Sequence, residues 1–288
     1  MKQLFGYASL ILLTFFVSCK KEPIILEAPI VEAPSPIKGV NSAPDPNAII
    51  ETSLPIQQAI TYNVNANIGG YQEALPARYN LTNKKYPLLI FIHGTGEQGN
   101  GSNDLWMAGN IGIAALIKNG KFPPSFQVSG VDHSFIVLSP QFRSWPSVAE
   151  VNNLIDFAIS KYRVDVSRVY LSGLSMGGGA TWEYAAQHSS KIAAIVPICG
   201  AAEPTNGKAE KIARANLPVW AFHNTDDRMV TVWNSIGFTT KINSYLNAVP
   251  AKFTQWASGG HDAWTKATDP NYKENGMNMY EWMLQYKR

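Results

Sequence analysis

Cysteine and net charge are both scarce in this sequence. The 288 residues include only two cysteines, Cys19 and Cys199, which excludes a disulfide-framed domain and a cysteine-rich metal site. The formal net charge of +3 is too small to indicate nucleic acid or an anionic membrane surface as a partner. The chain also lacks an H-E-x-x-H pair and a phosphate-binding loop, so we expect neither a metal nor an organic cofactor.

The N-terminal 58 residues read as a leader and a spacer. Lys2 precedes an apolar run over residues 4–17, which is too short to span a membrane and is typical of a signal peptide. Residues 16–19, FVSC, resemble a bacterial lipoprotein processing site. We therefore expect a signal peptide over residues 1–18 and a lipid on Cys19, with an uncleaved anchor or plain secretion as alternatives. Residues 19–58 contain 7 of the 18 prolines, which predicts an extended tether.

This N-terminal pattern predicts where the protein is located and how it is attached. A lipid on Cys19 would hold the chain in the bacterial cell envelope, and we expect membrane contact through that lipid only. Cys199 would then have no disulfide partner, so we expect it to be a small buried hydrophobic residue. The sequence does not predict an oligomeric state.

From residue 59 to residue 288, strand and helix patterns alternate. The apolar run YPLLIFI at residues 86–92 is typical of a strand buried on both faces of a parallel sheet. This pattern predicts an α/β three-layer sandwich, with a mostly parallel twisted sheet and helices on both faces. We expect an opening antiparallel pair at 61–65 and 70–76, further strands at 134–139, 168–171, 191–198, 217–223 and 251–257, and helices at 105–118, 148–162, 180–188, 233–246 and 278–286.

The motif Gly173-Leu174-Ser175-Met176-Gly177 lies between a predicted strand and a predicted helix. This is the context of a nucleophile elbow, in which a serine hydroxyl projects from a strained, sharp turn. The residues two before and two after that serine must be small because the strand and helix nearly touch. We therefore predict Ser175 as a catalytic nucleophile, and the alternative is a glycine-rich structural turn.

A serine hydroxyl needs a base and an acid, which follow an elbow in the chain order acid, then histidine. Of five histidines, only His261 follows a suitable acid; a plain surface-loop histidine is the alternative. The acid directly after a buried strand is Asp226 or Asp227. For the oxyanion hole we predict the backbone N–H of Met176 and that of Gly94 or Thr95.

Five sequence blocks together resemble the α/β-hydrolase superfamily, in particular its polyhydroxybutyrate-depolymerase-like, feruloyl-esterase-like and phospholipase/carboxylesterase-like esterases. The family acid lies four residues after the first histidine of the fourth block, which selects Asp227. The resemblance implies a serine esterase with the catalytic residues Ser175, Asp227 and His261. The blocks are residues 86–94, 139–141, 173–178, 223–230 and 259–264.

The expected substrate is a small-molecule or polysaccharide-linked carboxylic ester, including esters of aromatic acids. Trp145 and Trp264 lie near the predicted mouth and could form a substrate wall or simply pack. Gln141 and Glu97 are further candidate substrate contacts, although a single loop charge is often just solvated. The alternatives are a serine peptidase of the prolyl-oligopeptidase type and a non-catalytic surface-binding lipoprotein.

Overall fold

The computed structural model of the protein describes residues 50–288. The predicted signal peptide, the predicted lipid on Cys19 and most of the predicted tether lie outside these residues. Within the described range, no helix has both the length and the apolar character needed to cross a membrane.

The folded domain begins earlier than the sequence predicts. Strand β1 starts at Ile56, directly after Pro55 and inside the segment predicted to be tether. Glu51 is already buried, and its carboxylate accepts hydrogen bonds from Arg78 N at 3.1 Å and Tyr86 Oη at 3.4 Å. The proline content hid this boundary, because proline is tolerated at the first position of an edge strand.

The strands form one eight-stranded sheet and a separate short hairpin within residues 50–288. In spatial order the large sheet runs β1-β2-β6-β3-β7-β8-β9-β10. The β1–β2 and β2–β6 pairs are antiparallel, and all other neighbours are parallel. The strands are β1 (Ile56–Asn65), β2 (Ile68–Leu75), β3 (Tyr86–Ile92), β4 (Phe126–Val128), β5 (Val131–His133), β6 (Ile136–Phe142), β7 (Val164–Leu174), β8 (Ala194–Ile198), β9 (Trp220–Asn224) and β10 (Lys252–Trp256).

Helices connect the parallel strands, and the predicted α/β three-layer sandwich is confirmed. Helix α4 and the β4–β5 hairpin were not predicted. The α4 sequence NGKAEKIAR has a weak apolar period, because two of its three buried positions are alanines. The helices are α1 (Gly112–Lys118), α2 (Val148–Lys161), α3 (Met176–His188), α4 (Asn206–Arg214), α5 (Trp233–Asn243), α6 (Trp264–Ala267) and α7 (Met279–Leu284).

Alternate residues of β3 explain its continuous apolar run. Leu88 and Ile90 belong to the hydrophobic cluster on one face of the sheet, whereas Leu89 and Phe91 belong to the cluster on the other. Every residue of β3 is buried, as the sequence predicts for a strand covered on both faces. Strands β3, β6, β7, β8, β9 and β10 are parallel, so the loops that leave their carboxyl ends emerge on one edge of the sheet. Ligands bind at this edge in such folds.

Candidate active site

Ser175 occupies a strained turn between β7 and α3. Its φ of 52° lies in the left-handed region, which is uncommon for a residue other than glycine. A Cβ atom on Gly177 would lie 2.1 Å from Ile92 O, and one on Gly173 would lie 2.6 Å from the backbone of Gly177. Larger residues cannot occupy either position without moving the backbone, so the two glycines allow the turn to form.

The structure brings Ser175, His261 and Asp227 into one hydrogen-bonded chain. His261 Nε2 lies 2.9 Å from Ser175 Oγ, and His261 Nδ1 lies 2.7 Å from Asp227 Oδ2. The Asp227 side chain is fully buried, whereas 21% of the His261 side chain is exposed. This arrangement can remove a proton from a serine hydroxyl and stabilise the resulting imidazolium.

Hydrogen bonds keep the Asp227 carboxylate ionised despite its burial. Burial alone raises the pKa of Asp227, but donors at both oxygens outweigh this effect and the pKa falls below its usual range. Besides His261, these donors include the backbone N–H groups of Met229 and Val230, at 2.8 and 3.0 Å from Oδ1. The buried carboxylate is therefore negatively charged at neutral pH.

A second histidine contacts Asp227, which the sequence reasoning missed. His223 is buried at the end of β9, and its Nε2 lies 3.1 Å from Asp227 Oδ2 and 2.9 Å from Val230 O. Its Nδ1 lies 2.8 Å from Ser235 Oγ. Burial lowers the pKa of His223, so the ring is neutral and its Nε2–H can donate while Nδ1 accepts. The signal in the sequence was the i, i+4 spacing of His223 and Asp227 directly after a strand.

Asp226 has a different role from its neighbour. Asp226 reaches the loop before His261, and within residues 50–288 it shares none of the hydrogen-bonding partners of Asp227. Its carboxylate accepts from Gly260 N at 2.8 Å and Gly259 N at 3.4 Å. Asn224 Nδ2 donates to Gly260 O at 3.0 Å in the same loop. The two side chains together fix the segment that carries His261.

On the other side of Ser175, the loop after β3 offers main-chain donors. Gly94 N–H is already occupied, because it donates to Glu97 Oε2 at 3.0 Å. Within residues 50–288, neither Thr95 N–H nor Met176 N–H has a protein acceptor. Of the two predicted alternatives, the geometry therefore favours Thr95 over Gly94 as the second oxyanion donor.

Buried His93 holds this loop. Its Nδ1 lies 2.6 Å from Gly94 O, and its Nε2 accepts from Phe142 N at 2.9 Å. Burial lowers the pKa of His93 to about 4, so the ring is neutral and Nδ1–H is the donor. Burial also raises the pKa of Glu97, the carboxylate that bonds Gly94 N–H. Side chains thus fix the main chain of the oxyanion loop from two directions.

The structure corrects one of the expected substrate contacts. Gln141 is fully buried rather than exposed at the mouth. Its Oε1 accepts from Gly101 N at 2.9 Å, and its Nε2 donates to Glu97 O at 3.0 Å and Asp104 O at 2.9 Å. All three hydrogen bonds of the Gln141 side chain go to the main chain of the segment that follows β3. Gln141 therefore supports that loop and has no group left to offer a substrate.

The other expected contacts are at least partly exposed. Trp145 is 49% exposed, and Trp264 is partly buried with its ring edge-on to His261 at a centroid distance of 5.4 Å. Trp264 therefore packs against the histidine ring. Glu97 uses one carboxylate oxygen to hold Gly94, so it is at least partly a loop-supporting residue.

Cys199 lies close to His261 and Asp227. Its thiol, one nitrogen of His261 and one oxygen of Asp227 lie within 4.8 Å of one another. Burial raises the pKa of Cys199 to about 12, so the thiol keeps its proton. The histidine and aspartate are already hydrogen-bonded to each other at 2.7 Å. Cys199 is buried, as predicted, and has no disulfide partner within residues 50–288.

Comparison with known proteins identifies the relatives of this chain. A model of the phospholipase/carboxylesterase family matches residues 79–270. A bifunctional acetylxylan esterase/xylanase from Neocallimastix patriciarum is 27% identical over 201 residues, which cover 68% of this chain and 26% of that protein. Feruloyl esterase D from Neurospora crassa is 24% identical over 221 residues, which cover 71% of this chain and 66% of that protein. The chain thus spans about a quarter of the first relative and slightly under two thirds of the second.

Solved structures share the fold. A thermostable esterase superposes with a TM-score of 0.57 at 24% identity, over 81% of this chain and 63% of that one. The feruloyl esterase module of Clostridium thermocellum, solved as an S954A mutant with sinapinate, gives a TM-score of 0.52 at 19% identity. That match covers 77% of this chain and 87% of the module.

Proposed function

Because the chain belongs to the phospholipase/carboxylesterase family of α/β-hydrolases, we propose that it hydrolyses carboxylic esters with Ser175 as nucleophile. The observation that carries this proposal is the hydrogen-bonded chain from Ser175 Oγ through His261 to the buried carboxylate of Asp227. The same three residues also support an acyl-enzyme mechanism with two steps.

In the first step, His261 Nε2 takes the proton of Ser175 as Oγ attacks the ester carbonyl carbon. The negative charge that develops on the carbonyl oxygen is stabilised by the N–H groups of Thr95 and Met176. His261 then gives its proton to the departing alcohol, which leaves an acyl group on Ser175. In the second step, water attacks that acyl group with His261 again as base, and the free acid leaves. Asp227 remains ionised throughout and stabilises the imidazolium of His261.

We propose that the ester is carried by a sugar or joins an aromatic acid. This proposal is supported by similarity to two relatives, one named as an acetylxylan esterase/xylanase and the other as a feruloyl esterase. We also propose that Cys19 is lipidated and tethers the enzyme to the bacterial cell envelope. The mass of the N-terminal peptide of the mature protein tests this second proposal, and an unmodified Cys19 would refute it.

The experiment that tests the hydrolase is labelling with a fluorophosphonate, followed by intact mass and peptide mapping. Wild-type protein should gain one adduct, located on Ser175, and the Ser175→Ala variant should gain none. An ester panel that shares an acetyl group and varies the alcohol should then be hydrolysed by wild type alone. A folded wild-type protein that forms no adduct, or a Ser175→Ala variant that keeps the wild-type rate, would overturn the proposal. The non-catalytic binding protein would then be the better interpretation.

A further inference from the structure

A groove of about 340 Å³ is lined by residues outside the proposed catalytic set. One wall is the loop after β8, residues 201–203, and the other is the loop after β9, residues 229–231, together with Asn234 at the start of α5. None of these residues takes part in the proposed acyl-transfer steps. The groove lies on the side of Ser175 away from β3, because β7 is flanked by β3 on one side and β8 on the other.

Both walls are attached to the catalytic residues by direct hydrogen bonds. Ala201 N donates to Ser175 O at 3.0 Å. In the other wall, Val230 N donates to Asp227 Oδ1 at 3.0 Å, and Val230 O accepts from His223 at 2.9 Å. One residue in each wall of the groove is therefore hydrogen-bonded directly to the proposed nucleophile or the proposed acid.

The groove combines an apolar surface with free polar groups. Met229 lines the groove and is 79% exposed, and Trp233, next to Asn234 in the chain, is 68% exposed. Among the described residues, the carboxylate of Glu203 and the amide of Asn234 have no hydrogen-bonding partner. The groove therefore presents a flexible apolar side chain beside one acceptor-only group and one group that both donates and accepts.

This chemistry fits a sugar better than the other parts an ester could have. A sugar ring has an apolar face and hydroxyl groups that donate to a carboxylate and exchange hydrogen bonds with an amide. A fatty or aromatic acyl chain would leave Glu203 and Asn234 unpaired and partly desolvated, which is unfavourable. A phosphorylated or otherwise anionic group would be repelled by the Glu203 carboxylate.

We propose that this groove binds the sugar alcohol of a glycosyl ester, with Glu203 and Asn234 bonding its hydroxyl groups and Met229 covering a ring face. This inference rests on the proposed ester hydrolase and assigns its leaving group. It makes Glu203, Asn234 and Met229 residues that determine specificity. The acyl group of the substrate would then lie outside this groove.

The test compares two acetyl esters that differ only in their alcohol. Acetylated xylo-oligosaccharides carry a sugar, whereas 4-nitrophenyl acetate carries a flat phenol. The measured quantity is the ratio of kcat/KM for the sugar ester to kcat/KM for the phenyl ester. In Glu203→Ala we expect this ratio to fall about tenfold or more, as for the loss of hydrogen bonds to a charged group. In Met229→Ala we expect a fall of about threefold to tenfold, since buried apolar contact is lost.

Matched controls make the same changes outside the groove. Glu210→Ala removes an exposed glutamate that pairs with Arg214 in α4, and Leu246→Ala removes a side chain that is 93% exposed. Both controls should keep the wild-type ratio. Circular dichroism and thermal melting check that all four variants are folded.

The possible results separate this inference from the hydrolase proposal. An unchanged ratio in the groove variants, or equal losses on both esters, would overturn the sugar site while leaving the hydrolase intact. Wild-type protein that cleaves 4-nitrophenyl acetate but not the sugar esters would have the same meaning. If neither ester is cleaved and no fluorophosphonate adduct forms, the hydrolase proposal itself fails and the sugar site fails with it.

Discussion

On one side of Ser175, side chains hold main-chain groups in place, whereas on the other side main-chain groups hold side chains. Toward β3, His93 and Glu97 bond the carbonyl and N–H of Gly94, and the proposed oxyanion donor is the main-chain N–H of Thr95. Toward β9, the N–H groups of Met229 and Val230 bond Asp227, and the proposed catalytic group is its side chain. We call these the oxyanion side and the acid side.

This difference matters for how the two sides respond to mutation. A functional side chain can be removed by one substitution, so a single mutation can abolish the function of the acid side. A functional N–H is shared by every residue except proline, so the oxyanion side tolerates most changes in its own side chains. Both sides nevertheless rely on a buried neutral histidine, His93 on one and His223 on the other.

The largest effect is expected from breaking the acid side with Asp227→Asn. An asparagine amide can donate to His261 Nδ1, which would leave the proton on Nε2 and prevent that atom from accepting the proton of Ser175. We expect kcat for 4-nitrophenyl acetate to fall by about 10³-fold to 10⁴-fold, as for acid-to-amide changes in such triads. Steady-state kinetics measures this, with circular dichroism to confirm the fold.

The neighbouring change Asp226→Asn is a matched control with the same chemistry. Its side-chain oxygen can still accept from Gly260 N–H, so we expect kcat to fall by less than about fivefold, as for one weakened hydrogen bond. If Asp226→Asn cost as much as Asp227→Asn, the acid side would depend on the position of the His261 loop rather than on a single carboxylate.

The second largest effect is expected from Thr95→Pro on the oxyanion side. Proline removes the N–H and nothing else that the mechanism uses. The site tolerates proline because Thr95 opens a short 3₁₀ turn and Gly94 is extended, with φ −84° and ψ −176°. We expect kcat to fall by about 10²-fold to 10³-fold, the usual cost of one oxyanion donor.

The control for this prediction is Thr95→Ala, which removes the hydroxyl and keeps the N–H. It should lose far less activity than Thr95→Pro, and the comparison between the two isolates the main-chain donor. Equal losses in the two variants would show that the hydroxyl, rather than the N–H, carries the effect. An undiminished kcat in Thr95→Pro would assign the oxyanion to Met176 alone.

The sequence was most informative where local pattern fixes geometry. Alternating apolar strands and helices predicted the sandwich, and the elbow glycines predicted the turn at Ser175, because strand and helix must pass within contact distance there. The pairing of His261 with Asp227 rather than Asp226 came from the family resemblance, since both carboxylates follow the same strand. Local pattern could not separate two adjacent loop residues.

Three features of the structure were not predicted from the sequence. His223 contacts Asp227 because the loop after β9 folds back on its strand, and the spacing alone resembles many unrelated i, i+4 pairs. Gln141 was expected to contact substrate, but it is buried and its side chain is hydrogen-bonded to the loop after β3. Helix α4 was missed because alanines supply most of its buried face. Only the partners of Gln141 are distant in the sequence, at 40 and 44 residues, whereas the His223–Asp227 spacing is local but unspecific and α4 carries little hydrophobic signal.

The smallest effect is a loss of stability in mild acid, which tests the buried neutral histidine of the oxyanion side, His93. The folded protein lowers the pKa of His93 from 6.5 to about 4, so between these values the unfolded chain binds more protons than the folded one. The stabilisation that comes from keeping His93 neutral is therefore fully present above about pH 6.5. It is lost as the pH falls toward 4, below which His93 is protonated in both the folded and the unfolded state. One such group contributes a slope of up to about 1.4 kcal/mol per pH unit, or about 3 kcal/mol across the window. His223 acts in the same direction, and Asp227 contributes only at lower pH, where its own carboxylate begins to protonate.

Urea unfolding of wild type and His93→Gln at pH 7, 6 and 5 measures this effect. Glutamine can accept from Phe142 N–H but does not titrate, so the variant should lose part of its stability at pH 7 and yet depend less on pH. The expected result is a stability curve between pH 6 and 5 that is flatter than wild type by about 1 kcal/mol. Parallel curves would mean that His93 is not the group that resists protonation. The acid sensitivity would then be assigned to His223, whose pKa is also lowered by burial, because Glu97 acts in the opposite direction: its raised pKa means that its protonation favours the folded state as the pH falls.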